Sequence, residues 1–213
     1  MIRGFFSNHV NAEIWTYYLN PERAAEAGVD DHEQIVESIL CGQKTDIMPD
    51  LPAGYRTMVA RPVNASEIVS LLGEVFPEYP TPLKVPVIEN SIRLEASHFR
   101  LVRDTAGRLV SVAAAELDRV RKTAEISDCA TAPSHRGKNL ITFLLSQLER
   151  DVMDIYGIED LYALARSGEP AINKAFRKRG YDYFGRLINN CRMPGGWESM
   201  NIWCKACGPA FAV

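Results

Sequence analysis

The most informative part of this 213-residue chain is Cys129-Ala130-Thr131-Ala132-Pro133-Ser134-His135-Arg136-Gly137-Lys138-Asn139-Leu140. An apolar segment typical of a strand ends at Pro133, a short polar turn follows, and an amphipathic helix begins at Leu140. A turn that presents backbone N–H groups at a helix N-terminus forms an anion site, and pyrophosphate is a frequent ligand there. The stretch therefore indicates a nucleotide-type cofactor and an enzyme.

Composition places the chain among ordinary globular proteins. It is 46% apolar and 24% charged with a net charge of -3, and its length favours one main domain. The mixed charge argues against bulk nucleic-acid binding, and the apolar runs are too short for a bilayer. The N-terminus lacks the hydrophobic stretch of a signal peptide, so we expect a cytoplasmic location and no membrane partner.

The five cysteines do not form a recognisable framework. An odd, scattered set in a cytosolic chain argues against disulfides. Cys204 and Cys207 form a Cys-x-x-Cys pair, but only six residues follow it, too few for the helix that a redox site needs. Because no second pair accompanies it, we expect a strand end with a frayed tail and no metal site.

The periodicity predicts a helical extension followed by an α/β domain. In residues 1–50 we expect helices over Asn11–Leu19 and His32–Leu40, and the main domain spans 54–207. The predicted strands are Tyr55–Arg61, Ser97–Arg103, Leu109–Leu117, Thr123–Thr131, Leu161–Ala165, Tyr181–Cys191 and Glu198–Cys204. The predicted helices are Ser66–Phe76, Val87–Arg93, Leu140–Tyr156 and Pro170–Arg179. This order predicts a mixed sheet of about seven strands flanked by helices.

An anion turn after the fourth strand of such a sheet resembles the GNAT acetyltransferase family, whose fold has a mixed, mainly antiparallel sheet. The turn Ser134–Asn139 is similar to the family pattern Gln/Arg-x-x-Gly-x-Gly/Ala, with Ser134 and Asn139 at the two differing positions. Asn tolerates positive φ, so the turn is expected to persist. The resemblance implies that acetyl-CoA is bound through Cys129, Ala130, Thr131, Arg136, Gly137, Lys138, Asn139 and Leu140.

A second segment, Asn173–Tyr181, resembles the helix-to-strand segment of the same family. The resemblance implies that the Asn173 side chain contacts the cofactor. In the family a Tyr often protonates the departing CoA thiolate, and here that position is Phe176. Another group or water must then supply the proton.

A narrower resemblance covers most of the chain. The blocks Phe76–Pro82, Asp128–Thr131, Ala163–Arg166, Gly185–Cys191 and Gly195–Trp203 are similar to the beta-lysine N-epsilon-acetyltransferases. The resemblance implies that the acceptor is the ε-amine of beta-lysine, and it places the product among compatible solutes.

Acetyl transfer to an amine needs a group that takes the proton of the ammonium. Glu125 is the first candidate, Asp128 is the second, as base or ammonium anchor, and Glu116 on the preceding strand is a third. For Glu125 an exposed strand carboxylate is an equal alternative, and for Glu116 a surface residue beside Asp118 is the preferred one. Regular alternation places Glu125 and Asp128 on opposite faces, unless a β-bulge intervenes.

Beta-lysine also carries a carboxylate and a second amine. A bidentate Arg is the preferred partner of a carboxylate, which makes Arg166 and Arg186 candidates. Other candidates for the acceptor pocket are Tyr79, Asn189, Asn190, Glu198 and Asn201. For the three asparagines and Glu198 a plain polar hairpin face is an alternative, and for Tyr79 the alternative is an aromatic residue of the core.

We expect direct attack in a ternary complex, because no cation or base accompanies Cys129 to activate it as a nucleophile. Alternative acceptors are lysine, a polyamine or a protein N-terminus. A non-catalytic acyl-CoA-binding module is the alternative from another class. A homodimer is a possible assembly.

Overall fold

The fold is known from a computed structural model that describes residues 1–6, 9–45, 47–76, 79, 83–193 and 195–207. Its strands are β1 Ile2–Phe6, β2 Val10–Ala12, β3 Arg56–Val59, β4 Ser97–Arg103, β5 Leu109–Asp118, β6 Thr123–Thr131, β7 Asp160–Arg166, β8 Asp182–Met193 and β9 Gly196–Ala206. Its α-helices are α1 Val29–Leu40, α2 Ala65–Val75, α3 Val85–Arg93, α4 Leu140–Tyr156 and α5 Pro170–Lys178. No helix in these ranges is long and apolar enough to cross a membrane.

Seven strands form the main sheet in the order β3-β4-β5-β6-β7-β9-β8. Neighbouring strands run antiparallel except β6 and β7, which are parallel. Parallel neighbours need a crossover connection, and α4 supplies it. The α/β fold with a mixed, mainly antiparallel sheet is therefore confirmed, along with the predicted order of the elements after residue 54.

The helices cover both faces of this sheet. On one face the stripe of α4 that contains Leu144, Leu145 and Leu148 is fully buried, together with Phe176 of α5. On the other face Ile68 and Leu72 of α2 pack against strands β5 and β6. The apolar periodicity of these helices is what selects the buried stripe.

Two irregularities of β6 shape the molecule near its middle. The first is that β6 pairs with β7 only from Thr123 to Glu125, opposite Asp160 to Tyr162, after which no pairing joins the two strands. The strands therefore diverge and leave an opening in the centre of the sheet.

The second irregularity is a β-bulge at Asp128. Val112 and Ala114 of β5 pair with Ala130 and Ser127, so two residues of β6 lie opposite one of β5. Asp128 has a φ of 48°, in the left-handed region. The extra residue reverses the alternation of side chains beyond it, as expected for a bulge.

The N-terminal region differs from the prediction of a helical extension. Residues 11–19 contain the end of β2 followed by irregular chain, and Trp15, Tyr17 and Leu19 are exposed. A short amphipathic pattern is not stable as a helix without a surface to pack on, and within the described part of the chain nothing covers Trp15, Tyr17 and Leu19. The second predicted helix is present as α1, beginning at Val29.

Three sequence predictions fall at least partly outside the described residues. The Pro-rich stretch 77–82 is described only at Tyr79, Pro194 of the loop before β9 is not described, and neither is the C-terminal tail at 208–213.

Candidate active site

A cleft of about 720 Å³ opens where β6 and β7 diverge. Its walls come from the end of β6, the turn before α4, the end of β7, α5 and the strands β8 and β9. The cleft-lining residues on which the site depends are Tyr79, Asp128, Cys129, Thr131, Arg136, Gly137, Lys138, Asn139, Leu140, Arg166 and Glu169. The size of this cleft suits a cofactor and a small acceptor together.

One end of the cleft is the turn Arg136–Asn139 at the start of α4. Gly137 and Asn139 have φ angles of 76° and 57°, so Asn139 adopts the left-handed conformation that the sequence predicts it to tolerate. The first turn of α4 leaves the amides of Leu140 and its successors without intrahelical acceptors. A Cβ added to Gly137 meets nothing within 4 Å, which leaves open space over the turn.

Backbone amides, the positive end of a helix and two exposed cations, Arg136 and Lys138, make a donor set suited to a pyrophosphate. The residues present therefore fit the phosphate end of acetyl-CoA. That each of them binds it stays a prediction.

Tyr55 supports this turn, and the sequence did not single it out. Its hydroxyl lies 2.8 Å from Nδ1 of His135 and accepts a hydrogen bond of 2.9 Å from Nζ of Lys138. The two rings of Tyr55 and His135 meet edge to face. Because 80 residues separate them in the chain, no local pattern revealed this contact.

Of the residues at the end of β6, Cys129 and Thr131 line the cleft. The Ala130 side chain is buried in the core on the α2 face. Burial and the neighbouring Asp128 raise the pKa of the Cys129 thiol above its usual range. The thiol is therefore unsuited to act as a nucleophile.

Three carboxylates meet beside the cleft. Glu116 and Glu125 are directly opposite each other on β5 and β6. Asp128 is close enough to both that its charge raises the pKa of Glu125 and the charge of Glu116 raises the pKa of Asp128. Without the bulge Asp128 would face away from Glu125. The bulge thus joins the three candidates that the sequence left on separate faces.

Burial raises the pKa of Glu125 to about 7, with the charge of Glu116 as the second cause. A hydrogen bond with Tyr162, which lies opposite Glu125 in the parallel register, acts in the other direction. Burial also raises the pKa of Asp128, and the hydroxyl of Tyr79 donates a hydrogen bond to its carboxylate. Glu125 and Asp128 are therefore each hydrogen-bonded to one tyrosine.

Two predicted acceptor residues bind each other. Nε of Arg166 donates to Glu198 over 2.5 Å, and Nη2 donates to its other oxygen over 2.7 Å. This bidentate pair links the end of β7 to the start of β9, and both side chains are partly exposed. The pair lies on the same sheet face as Tyr162 by strand alternation.

The predicted cofactor contact of Asn173 is wrong for its side chain. Asn173 is fully buried, and its amide donates to the carbonyls of Arg166 and Glu169. Its oxygen accepts from Asn201 over 3.0 Å and from Trp203 over 2.7 Å. All four hydrogen-bonding positions are therefore occupied within the protein. Asn201, also fully buried, is removed from the acceptor pocket by the same contacts.

Arg186 and Asn189 do not face the cleft either. Arg186 donates to Glu26 over 3.0 Å and to Asn201 over 3.2 Å. Asn189 donates to the carbonyls of Arg23 and Ala25. Both residues hold the N-terminal region against β8.

Asn190 belongs to a larger bulge of the same strand. Leu187 and Cys191 pair with Met200 and Glu198, which leaves three residues of β8 opposite one of β9. Asn190 is exposed there, outside the residues that line the cleft. The bulge and the docking of residues 23–25 give the two amides a local structural reason, and a role of Asn190 in acceptor binding stays a prediction.

Phe176, at the family's acid position, is buried and packs edge to face on Tyr181. No hydroxyl is available from that side chain. Among the described residues Tyr79 is the tyrosine that lines the cleft, beside Asp128.

The fold, the diverging strands and the anion turn define an acyltransferase of the GNAT type. A model of the acetyltransferase (GNAT) family matches residues 65–181, and the chain belongs to that family. The donor used by this family is acetyl-CoA.

The chain is 42% identical to a beta-lysine N(6)-acetyltransferase of Methanosarcina mazei over 73% of this chain and 56% of that protein. It is 31% identical to the N-acetyltransferase YodP of Bacillus subtilis over 96% of this chain and 73% of that protein. The chain thus spans little more than half the length of the Methanosarcina relative.

Among solved structures, a dodecameric spermidine N-acetyltransferase from Vibrio cholerae is similar in fold. Its TM-score is 0.62 at 15% identity, over 73% of this chain and 95% of that one. At this identity the likeness concerns the fold alone.

Proposed function

We propose that this protein is an acetyl-CoA-dependent N-acetyltransferase that acts on the ε-amine of beta-lysine. The observation that carries the proposal is Glu125, a mostly buried carboxyl with a pKa of about 7 beside the opening between β6 and β7. A base is most effective when its pKa lies near the working pH.

The donor side of the cleft is the turn Arg136–Asn139 and the start of α4. Acetyl-CoA supplies an activated acetyl thioester when bound. The amides of the turn and the charges of Arg136 and Lys138 hold its phosphates, and the end of β6 lies beside the opening of the sheet.

The acceptor side is the group of three carboxylates. A side-chain amine arrives as ammonium at neutral pH, because its pKa is about 10.4. Glu116 and Asp128 favour the ammonium by charge, and Glu125 accepts the proton that the amine must lose before it attacks. Burial supports this assignment, since it raises the pKa of Glu125 far above that of an exposed carboxylate.

The attack is direct, without an acyl-enzyme: the amine nitrogen bonds to the acetyl carbon, the thioester C–S bond breaks, and CoA leaves as a thiolate that takes a proton from water or from a group other than Phe176. The raised pKa of Cys129 supports this step order, because a protonated, buried thiol is a poor nucleophile. The named acceptor rests on the similarity to the Methanosarcina protein and on three carboxylates suited to a cationic substrate.

The test is acetylation by the purified protein with acetyl-CoA and, in separate reactions, beta-lysine, α-lysine and spermidine. We expect the highest kcat/KM with beta-lysine, measured by thiol release and by mass spectrometry of the product. Equal values for the three amines contradict the acceptor assignment. If CoA binds but no amine is acetylated, the protein is an acyl-CoA-binding module.

A further inference from the structure

The Arg166–Glu198 pair has unused binding capacity. A guanidinium has five N–H donors in two bidentate edges. The edge formed by Nε and Nη2 is taken by Glu198. Among the described residues Nη1 has no acceptor at hydrogen-bond distance; the carboxylate of Glu169 lies 3.6 Å from it. The outer edge, Nη1 with Nη2, is therefore engaged only by this looser ion pair with the half-exposed Glu169, which the carboxylate of a ligand can displace.

The Glu198 carboxylate is also incompletely used. Each of its oxygens accepts one bond from Arg166 and keeps a further acceptor site. With Glu169 close by, two carboxylates surround one guanidinium, and Arg166 and Glu169 both line the cleft. The surplus negative charge suits an ammonium placed beside the bound carboxylate.

The position of the pair also fits. Tyr162, which is bonded to Glu125, and Arg166 lie on one face of β7, roughly 13 Å apart between Cα atoms as four strand residues dictate. The Arg166 side chain covers part of this distance, and an extended acceptor molecule covers the rest. Asn173 keeps Arg166 in place by donating 2.9 Å to its carbonyl.

We infer that Arg166 and Glu198 form a subsite for the zwitterionic end of the acceptor, a carboxylate and a neighbouring ammonium. This inference rests on the proposed function and specifies the acceptor as a free amino acid. Arg166 binds the carboxylate through its outer edge, and Glu198, still bonded to Arg166, accepts from the ammonium. A polyamine leaves the guanidinium edge unfilled.

The test separates the two charges with matched acceptors. Relative to beta-lysine, 1,4-diaminopentane lacks the carboxylate, and 6-aminohexanoate lacks the second amine. We expect Arg166→Gln to lower kcat/KM for beta-lysine by roughly tenfold to a hundredfold, as for a lost charged hydrogen bond, with 1,4-diaminopentane unchanged within about twofold. Glu198→Gln should lower kcat/KM for beta-lysine but leave kcat/KM for 6-aminohexanoate unchanged.

Arg103→Gln is the matched control, because Arg103 makes a similar bidentate pair with Glu67, at 2.7 and 2.6 Å, away from the cleft. Arg103→Gln should leave kcat/KM unchanged for all three acceptors. If Arg166→Gln lowers kcat/KM by the same factor for every acceptor, the pair is structural and the inference is wrong.

Calorimetric titration of beta-lysine into the CoA-loaded protein distinguishes this inference from the proposed function. Binding that is lost in Arg166→Gln supports the subsite even if no amine is acetylated, an outcome that would overturn only the proposed function. Binding of equal strength in wild type and Arg166→Gln overturns the subsite even if beta-lysine is acetylated.

Discussion

Glu125 illustrates how the surroundings give an ordinary side chain a specific capacity. An exposed glutamate is a weak base, whereas burial and the like charge of Glu116 raise the pKa of Glu125 to about 7. The direct pairing of Glu116 and Glu125 across the strands is the source of the second effect.

The pH dependence of catalysis follows from this value. Glu125 must be deprotonated to accept a proton, so kcat/KM should rise with pH through about 7. Glu125→Gln should lower kcat/KM by roughly a hundredfold or more, as for other general bases, and abolish that limb. The measurement is a pH–rate profile at saturating acetyl-CoA.

Glu116→Gln provides the companion measurement. Removal of the like charge lowers the pKa of Glu125, so the limb should move to lower pH. If the Glu125→Gln enzyme keeps both its kcat/KM and the rise of kcat/KM with pH, another group is the base.

At the scale of elements, the turn before α4 depends on two residues with positive φ. Gly137 lies in open space at φ 76°, and Asn139 has no side-chain bond that caps the helix. The conformation of the backbone, rather than a side-chain contact, therefore shapes this turn.

Gly137→Ala should raise the KM for acetyl-CoA roughly tenfold, since the left-handed conformation costs an L-residue about 1–2 kcal/mol and the methyl group enters the space over the turn. Asn139→Gly should leave that KM within about twofold. Steady-state kinetics with acetyl-CoA as the varied substrate checks both.

Gly157→Ala is the matched control, because Gly157 has a φ of 65° at the opposite end of the same helix and also has nothing within 4 Å. It should reduce stability without affecting the KM. An equal rise in KM for both alanine variants would mean that the helix, not the turn, is responsible.

At the scale of the whole molecule, an ion network joins α4 to the sheet. Asp151 accepts from Nε and Nη2 of Arg100 at 2.5 and 2.7 Å, and its carboxylate lies 2.7 Å from Nε2 of His98. Burial opposes ionisation of Asp151, but the bonds from His98 and Arg100 and their charges outweigh it and lower its pKa to about 2.

Because the folded pKa of Asp151 is below the ordinary aspartate pKa of 3.8, its contribution to stability is complete above that pH and is lost as the pH falls towards 2. Asp151→Ala should cost about 3 kcal/mol at neutral pH, since it leaves Arg100 without its partner. Urea denaturation at pH 7 and at pH 3 measures both effects.

The exposed pair of Glu89 and Arg93 on α3 is the control for this measurement. Glu89→Gln should cost less than about 1 kcal/mol, as is usual for surface ion pairs. A similar cost for both variants would contradict the assigned role of the network.

The strands and helices after residue 54 were predictable because apolar periodicity and Pro or Gly stops are local signals. The same reasoning failed at Asn11–Leu19, where an amphipathic pattern without a packing surface remains irregular. It also failed at Asn173, whose family role gave no sign of the four internal bonds that occupy it.

Local chemistry along the chain was sufficient for the anion turn, the element order and the family, because each depends on residues that are close in sequence. The folded arrangement was needed for the rest. A single extra residue at Asp128 joins the carboxylates on one face, and strand pairing brings Arg166 to Glu198 across 32 residues. Register and bulges arise from contacts between distant segments, so no local pattern contains them.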